Sequence, residues 1–364
     1  MYENDKRIVL TLDAGGTNFV FSAIQGYVPI ITPICMPSVS DNLKRCLEIL
    51  VAGFDMVIHK LNTFPEAISF AFPGPADYEN GVIGGNLPNF PSFRQGVALG
   101  PFLQRRYGIL VYIENDGNLF AYGEALSGAL PVVNEQLAIV KNSKRYKNLL
   151  GVTLGTGFGA GVVIDGKLLR GDNGCGGDVW LMRNKKYPSM IAEESVSVRA
   201  VKRVYGRLIG REDVDLTPKD IYEIAEGVRE GDREAAIYSF QELGEVAGSV
   251  IASALNIVDG LVVIGGGLAG ASKYILPALV SELRSTLSTF SGERFPCLQM
   301  EVYNWENELE RMKFLESDKH QVFIPETLIQ VPYFDSKRIA VMCSKEETSY
   351  SIMKGAYAYA LSKL

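Results

Sequence analysis

"IVLTLDAGGTNFVFSAI" (8–24) is a β-rich run, a glycine turn and a second β-rich run. Two apolar strands around a tight glycine turn form a hairpin signature. The pattern returns at "LLGVTLGTGFGAGVVIDGKLLRG" (149–171), which reads strand, glycine turn, strand and a second turn at Asp165-Gly166. Two widely separated copies of one unit imply two related lobes. The change of lobe is expected near residue 119.

The intervening segments alternate between helix and strand. Residues 41–62 place Leu43, Cys46, Leu47, Leu50, Val51 and Phe54 at helical spacing, and "AISFAF" (67–72) then predicts a strand ending in the turn-rich "PGPAD" (73–77). "ILVYI" (109–113) predicts a buried strand that delivers "ENDGN" (114–118) to the start of a helix. Residues 232–256 read as a long helix with Ala236, Phe240, Leu243, Ala247 and Val250 on one face. It leads into "GLVVIGGGLAG" (260–270), a buried strand ending in glycines. "RIAVMC" (338–343) is a last strand, and 348–364 a terminal helix with small residues at Gly355, Ala356, Ala358 and Ala360. Residues 292–336 mix alternating, charged and β-like stretches and are expected to form an insertion.

At 364 residues the chain exceeds one ordinary core, so two domains are expected. Hydrophobic residues at 47% and charged residues at 21% fit a soluble globular protein. The net charge of -6 gives no basic footprint for nucleic acid or an anionic membrane surface. Cys35, Cys46, Cys175, Cys297 and Cys343 are scattered and odd in number, with no CxxC pair, which points to buried free thiols in a reducing compartment. The opening "MYENDKRIVLTL" runs charges straight into a strand, so no signal peptide is visible, and the apolar region 246–269 is broken by Asn256, Asp259 and three consecutive glycines. A cytoplasmic location is expected.

Three glycine turns carry the candidate chemistry: "DAGGTN" (13–18), "GTGFGAG" (155–161) and "GGGLAG" (265–270). Glycine lets backbone N–H groups approach phosphate oxygens, and the hydroxyls of Thr17 and Thr156 can add donors. Asp13 supplies the carboxylate that a hydrated Mg²⁺ beside phosphates needs. None of the three is a Walker A or a Rossmann GxGxxG in its strand–helix setting. In "ENDGN", Asp116 can accept a proton from a hydroxyl nucleophile with Asn115 orienting the substrate; equally, Asp116 can simply cap the helix that follows.

"LDAGGTN", "FPGPAD", "NGVIGGNLPNF", "IENDGNLFAYGEA", "GVTLGTGFGAGVVIDGKLLRG" and "LVVIGGGLA" occur in an order and spacing that resembles the ROK family of bacterial sugar kinases and sugar-responsive repressors. The resemblance spans roughly 8–290 and the terminal "KGAYAYAL". It implies an α/β, actin-like (ribonuclease H-like), two-lobed fold with ATP in a central cleft. Residues 1–118 plus 348–364 would form the small lobe and 119–347 the large lobe, including the 292–336 insertion. The resemblance also implies that Asp13, Gly15, Gly16, Thr17 and Asn18 form the first phosphate loop, with Asp13 reaching the Mg²⁺ of ATP through water. Gly155, Thr156 and Gly157 would form the second phosphate loop, and Gly265, Gly266 and Gly267 the adenosine-side turn. Asp116 matches the catalytic base, Asn115 lies beside the sugar, and Gly74 and Asn86 lie where the small lobe closes over it.

One stretch departs from the family. After the second phosphate loop, the family usually reads "GGE-x-GH", a cysteine cluster and "GCxE", whose acids and His bind sugar and whose His and cysteines hold zinc. Here "RGDNGCGGDVWLMRNKK" (170–186) puts Asp178 at the first Glu, Trp180 at the Gly and Leu181 at the His, with no cysteine between Cys175 and Cys297. A zinc site needs about four N/S ligands close together, so no structural zinc is expected. Leu181 is expected to be a core leucine anchoring the loop in the metal's place, and Trp180 to pack or to stack on a pyranose. In "AEESVS" (192–197), Glu193 takes the second acid position with Glu194 as the fallback. The expected function is an ATP- and Mg²⁺-dependent sugar kinase acting on a hexose or N-acetylhexosamine, as a homodimer, with no nucleic acid or membrane partner. The alternative is a non-catalytic sugar sensor acting through a protein partner.

Overall fold

The computed structural model describes residues 2–15, 17–74, 76–87, 89–211, 215–317 and 319–364. They divide into two compact units, one of 1–128, 161–177 and 345–364, the other of 129–160 and 178–344. The first contains β1 (Val9–Ala14), β2 (Asn18–Gln25), β3 (Val28–Pro29), β4 (Ile34–Pro37), α1 (Leu43–His59), β5 (Ala67–Ala71), β6 (Ala76–Asp77), β7 (Val82–Ile83), α2 (Leu99–Tyr107), β8 (Leu110–Glu114) and α3 (Asp116–Leu126). Its sheet runs β3-β2-β1-β5-β8, with β4 also on β2. The β1–β2 pair is the antiparallel hairpin that the glycine turn predicts, with Val9 opposite Ile24 and Ala14 opposite Phe19.

β1, β5 and β8 run parallel, with Asp13 opposite Ala71 and Ala71 opposite Glu114. Their carboxyl ends therefore meet at one sheet edge, where open α/β sheets place ligands. Beneath it lies a core rich in phenylalanine, in which Phe19, Phe21, Phe54, Phe70, Phe72, Phe90 and Phe93 are fully buried. Each such side chain contributes about 1.5–3 kcal/mol by leaving water.

The other elements are α4 (Ala129–Ile139), β9 (Leu149–Leu154), β10 (Phe158–Ile164), β11 (Lys167–Leu168), α5 (Val198–Leu208), α6 (Pro218–Ala225), α7 (Arg233–Val258), β12 (Leu261–Gly265), α8 (Ser272–Leu283), β13 (Thr286–Ser288), β14 (Arg294–Pro296), β15 (Glu301–Asn304), α9 (Glu308–Leu315), β16 (Lys319–Phe323), β17 (Gln330–Phe334), β18 (Arg338–Cys343) and the terminal helix α10 (Thr348–Lys363). The second sheet has the order β11-β10-β9-β12-β18-β15. β9 and β12 are parallel, with Thr153 opposite Gly265, so the second and third glycine turns leave the same edge.

Two boundaries differ from the sequence reading. The first unit continues to Gly128 because α3 crosses α10 at two glycines. A Cβ on Gly123 would lie 2.0 Å from the Ser351 carbonyl oxygen, and one on Gly355 would lie 1.9 Å from that of Leu119. Residues 292–336 are also not one insertion. β15 pairs in parallel with β18 inside the main sheet, Val302 and Phe314 are buried, and the hairpins β13–β14 and β16–β17 stand outside it. Among the described residues, no helix is long and apolar enough to cross a membrane.

Candidate active site

In the first unit, β8 ends at Glu114 and α3 begins at Asp116. The cap between them is Asn115, whose Oδ1 accepts from the N–H groups of Gly117 (2.8 Å) and Asn118 (3.4 Å). Asp116 is thereby relieved of capping, and its Oδ1 accepts from Gly117 N–H at 2.8 Å. The same cap commits the side-chain oxygen of Asn115 and leaves its NH₂ for a ligand. The surrounding protein mass pushes the Asp116 carboxyl above its ordinary value, outweighing the Gly117 N–H, although the residue stays open to solvent. Asp13, at the end of β1, is also raised, first by burial and then by the charge of Asp116. The two carboxylates thus sense each other across the sheet edge.

Around them the β1–β2 turn exposes Thr17 and Asn18. Gly15 is demanded by the turn itself, since a Cβ there would lie 2.8 Å from the Asn18 carbonyl oxygen. Gly16 lies outside the described residues. Gly74 follows β5 and faces the Tyr78 hydroxyl, 2.9 Å from where its Cβ would be. Asn86 is exposed in the loop after β7.

Two residues that sequence reasoning missed hold this edge together. Glu114, 1% exposed, accepts from the backbone N–H of Asn115 (2.9 Å) and the side-chain amide of Asn118 (3.1 Å). Its other oxygen accepts from Arg170 Nε at 2.7 Å. Arg170 also pairs with Glu79 in the loop after β6 and lies over the Tyr359 ring of α10, 5.9 Å from its centroid. A carboxylate at the end of a buried strand demands a cation, which is the available signal for Glu114. Arg170 comes from a distant segment that spacing does not connect to it.

In the second unit, the β9–β10 turn is closed by Gly155 N–H donating to the Gly157 carbonyl at 3.1 Å. Thr156 is exposed, and a Cβ on Gly155 would meet open space. Gly157 faces the Glu193 carboxylate, whose Oε2 would lie 2.6 Å from an added Cβ and accepts from Phe158 N–H at 3.0 Å. The other oxygen of Glu193 pairs with Arg199 (2.9 Å), while Glu194 pairs with Arg199 (2.8 Å) and Arg203 (3.4 Å). Glu193 is therefore the acid held against the glycine turn. In the third turn Gly265 is buried, and Gly266 (φ +89°) packs against β9, with an added Cβ 2.2 Å from the Leu154 carbonyl oxygen. Gly267 is the exposed member.

Asp178 is exposed at the start of the turn Val179–Leu181 and does not cap it. Leu181 is 53% exposed, which overturns its reading as the core anchor of the loop. The anchor is Asn184, fully buried. Its amide NH₂ donates to Ser195 Oγ (2.8 Å) and the Ile191 carbonyl (3.3 Å), and its oxygen accepts from the N–H groups of Lys186 (3.0 Å) and Tyr187 (3.1 Å). A single amide with two donors and two lone pairs ties both strands of the loop. Among the described residues no group of three or more His, Cys, Asp or Glu is placed to hold a metal.

Two mixed sheets, each carrying a strand–glycine turn–strand element, define a mixed α/β protein of the actin-like ATPase fold. The chain belongs to the ROK family, whose model matches residues 9–303. The structure of a glucokinase from Parabacteroides distasonis ATCC 8503 matches with a TM-score of 0.90 and 57% identity, covering 100% of both chains. Among curated relatives, a glucokinase of Thermotoga maritima is 26% identical over 288 residues, covering 74% of this chain and 85% of its own. An N-acetyl-D-glucosamine kinase of Vibrio cholerae is 26% identical over 278 residues, covering 70% and 83%.

Proposed function

We propose that this chain is an ATP-dependent sugar kinase that phosphorylates a hydroxyl of a hexose or N-acetylhexosamine, with Asp116 as general base. Sugar kinase is the class shared by the three relatives named above. The observation that carries the choice of base is the division of labour at the start of α3: Asn115 caps the helix, and Asp116 is left with a raised, solvent-open carboxylate. A base whose pKa approaches working pH transfers protons best.

Ionised Asp116 accepts the proton of the sugar hydroxyl as that oxygen forms its bond to the γ-phosphorus and the bond to the ADP oxygen breaks. The exposed turns at Thr17–Asn18 and Gly155–Thr156 offer N–H and hydroxyl donors to phosphate oxygens, and Gly267 offers an unobstructed backbone for the adenosine side. Asp178 and Glu193 are assigned to the sugar, together with Gly74, Asn86 and the NH₂ of Asn115. Asp13 fits the hydrated Mg²⁺ of the nucleotide, because an oxygen donor already strained by a neighbouring carboxylate gains most from a divalent cation. That ion supplies charge neutralisation on the phosphates when bound. ATP as donor fits a cytoplasmic enzyme, and a homodimer is its assembly.

The test is a coupled ADP-release assay over hexoses and N-acetylhexosamines, with Asp116→Asn as control. Turnover on at least one sugar, reduced about 10³-fold in the variant, is expected. Sugar binding without ADP release by the wild type would favour the sensor.

A further inference from the structure

We propose that the hairpins β13–β14 and β16–β17 form the surface on which a second copy of this chain docks. The inference rests on the homodimer reading above and adds its location.

Both hairpins leave the same end of the second sheet. β13–β14 feeds β15 and β16–β17 feeds β18, and those strands are parallel neighbours with Glu301 opposite Arg338. Every residue of the four hairpin strands is exposed. In β16–β17, Val322 lies opposite Val331, and the ladder continues where Ile324 N–H donates to the Ile329 carbonyl at 2.8 Å. Phe323 belongs to the opposite face and is 59% exposed. A lone two-stranded ribbon is marginal in water, and one with apolar side chains on both faces gains stability only from a cover. The exposed aromatic and aliphatic groups of the two hairpins amount to on the order of 1,000 Å², above the roughly 800 Å² per partner of a standard interface.

Two features select a second copy as the cover. The surface carries both a knob and a hole. Phe290 stands fully exposed at the tip of β13–β14. At the feet of the hairpins lies a groove of about 650 Å³ lined by Phe295, Pro296, Leu298, Glu301, Asp335 and Lys337. A twofold contact uses the same patch on both copies and is satisfied when each knob enters the other's hole. The patch is also nearly neutral: 321–334 holds Glu326 alone among charged residues, and 286–296 holds one Glu and one Arg. A chain of net charge -6 meets its own copy with least repulsion at such a place. Pro332, which has no N–H, opposes Gln321 in the ribbon, so the contact is made by faces and not by adding a strand at that edge.

The experiment is sedimentation velocity of the full chain from about 1 to 100 μM, with Phe290→Ser and Ile329→Glu singly and together, and hydrogen exchange at both ends of that range. The expected result is a wild-type dimer, association weakened at least 30-fold (~2 kcal/mol) by each variant, and unchanged far-UV circular dichroism. Amides of 286–296 and 319–334 should slow with concentration. A wild-type dimer that both variants and hydrogen exchange leave unmoved there overturns this surface alone. A wild type monomeric throughout overturns the dimer with it.

Discussion

Asp116 and Asp13 share a pH signature. Both carboxyls are raised, Asp116 by the protein mass around it and Asp13 by burial and then by the charge of Asp116. Under the proposed role of Asp116 as base, which requires its ionised form, the acid limb of kcat/KM is expected to lie above the ordinary aspartate value of 3.8. A group whose folded pKa exceeds its unfolded pKa adds stability in acid and loses it as pH rises through the folded value. Asp116→Asn should therefore raise the melting temperature at neutral pH, with the gain vanishing in acid, and should lower the pKa of Asp13 in an NMR titration. A variant less stable at neutral pH would contradict the shift. Behind this pair, Arg170→Ala leaves Glu114 charged, 1% exposed and without its cation. A loss of about 3–5 kcal/mol is expected in urea unfolding, and Arg170→Met with Glu114→Gln should recover part of it. Because Glu114 also holds the Asn115 N–H and the Asn118 amide, Arg170→Lys is expected to lower kcat more than it changes KM.

Within the loop 178–197, Asn184 is the fully buried side chain that ties 184–187 to 191–195. Asn184→Ala removes four hydrogen bonds and leaves the buried Ser195 hydroxyl and two backbone N–H groups without their partner. An expected loss of about 1–3 kcal/mol should be accompanied by a raised KM for sugar, since Asp178 and Glu193 belong to this loop. Asn184→Asp should fail to rescue it fully, because a carboxylate cannot donate to the Ile191 carbonyl. Unchanged KM in Asn184→Ala would separate the loop from sugar binding. At this scale the sequence was readable wherever a period or a turn is local: the β1–β2 hairpin, α1, α7 and the strand at 338–343 follow from alternation, helical spacing and glycine. It was silent where the partner is distant. Leu181 sits where the family has its histidine, yet the anchor lies at Asn184, among basic residues with no pattern of their own. In 292–336, alternation marks strands but does not say which of them join the sheet. β15 joins because its partner β18 lies beyond a second hairpin.

The first unit is assembled from three chain segments and the second from two. Glycine spacing suggested two related lobes, but the segment boundaries depend on close backbone approaches that no composition reveals. Gly161 is one: an added Cβ would lie 2.5 Å from the Gly117 carbonyl oxygen, so β10 can approach the start of α3 only without a side chain. The α3–α10 crossing is the other, and there the obstacles are backbone atoms that cannot rotate away. Gly355→Ala is expected to force the helices apart at a cost of about 3 kcal/mol, the upper range for overpacking. Since α10 packs on β1, β5 and α3, the loss should appear in native-state hydrogen exchange as faster opening of β1, β5 and β8. Slow amides of β9, β12 and β18, in the second unit, should keep their protection. Uniform loss across both sheets would mean that the units unfold as one cooperative body. Loss in neither would mean that the crossing yields without strain. Because α3 begins at Asp116, the same variant should also lower kcat, which makes docking of the last helix a condition for activity as well as for the fold.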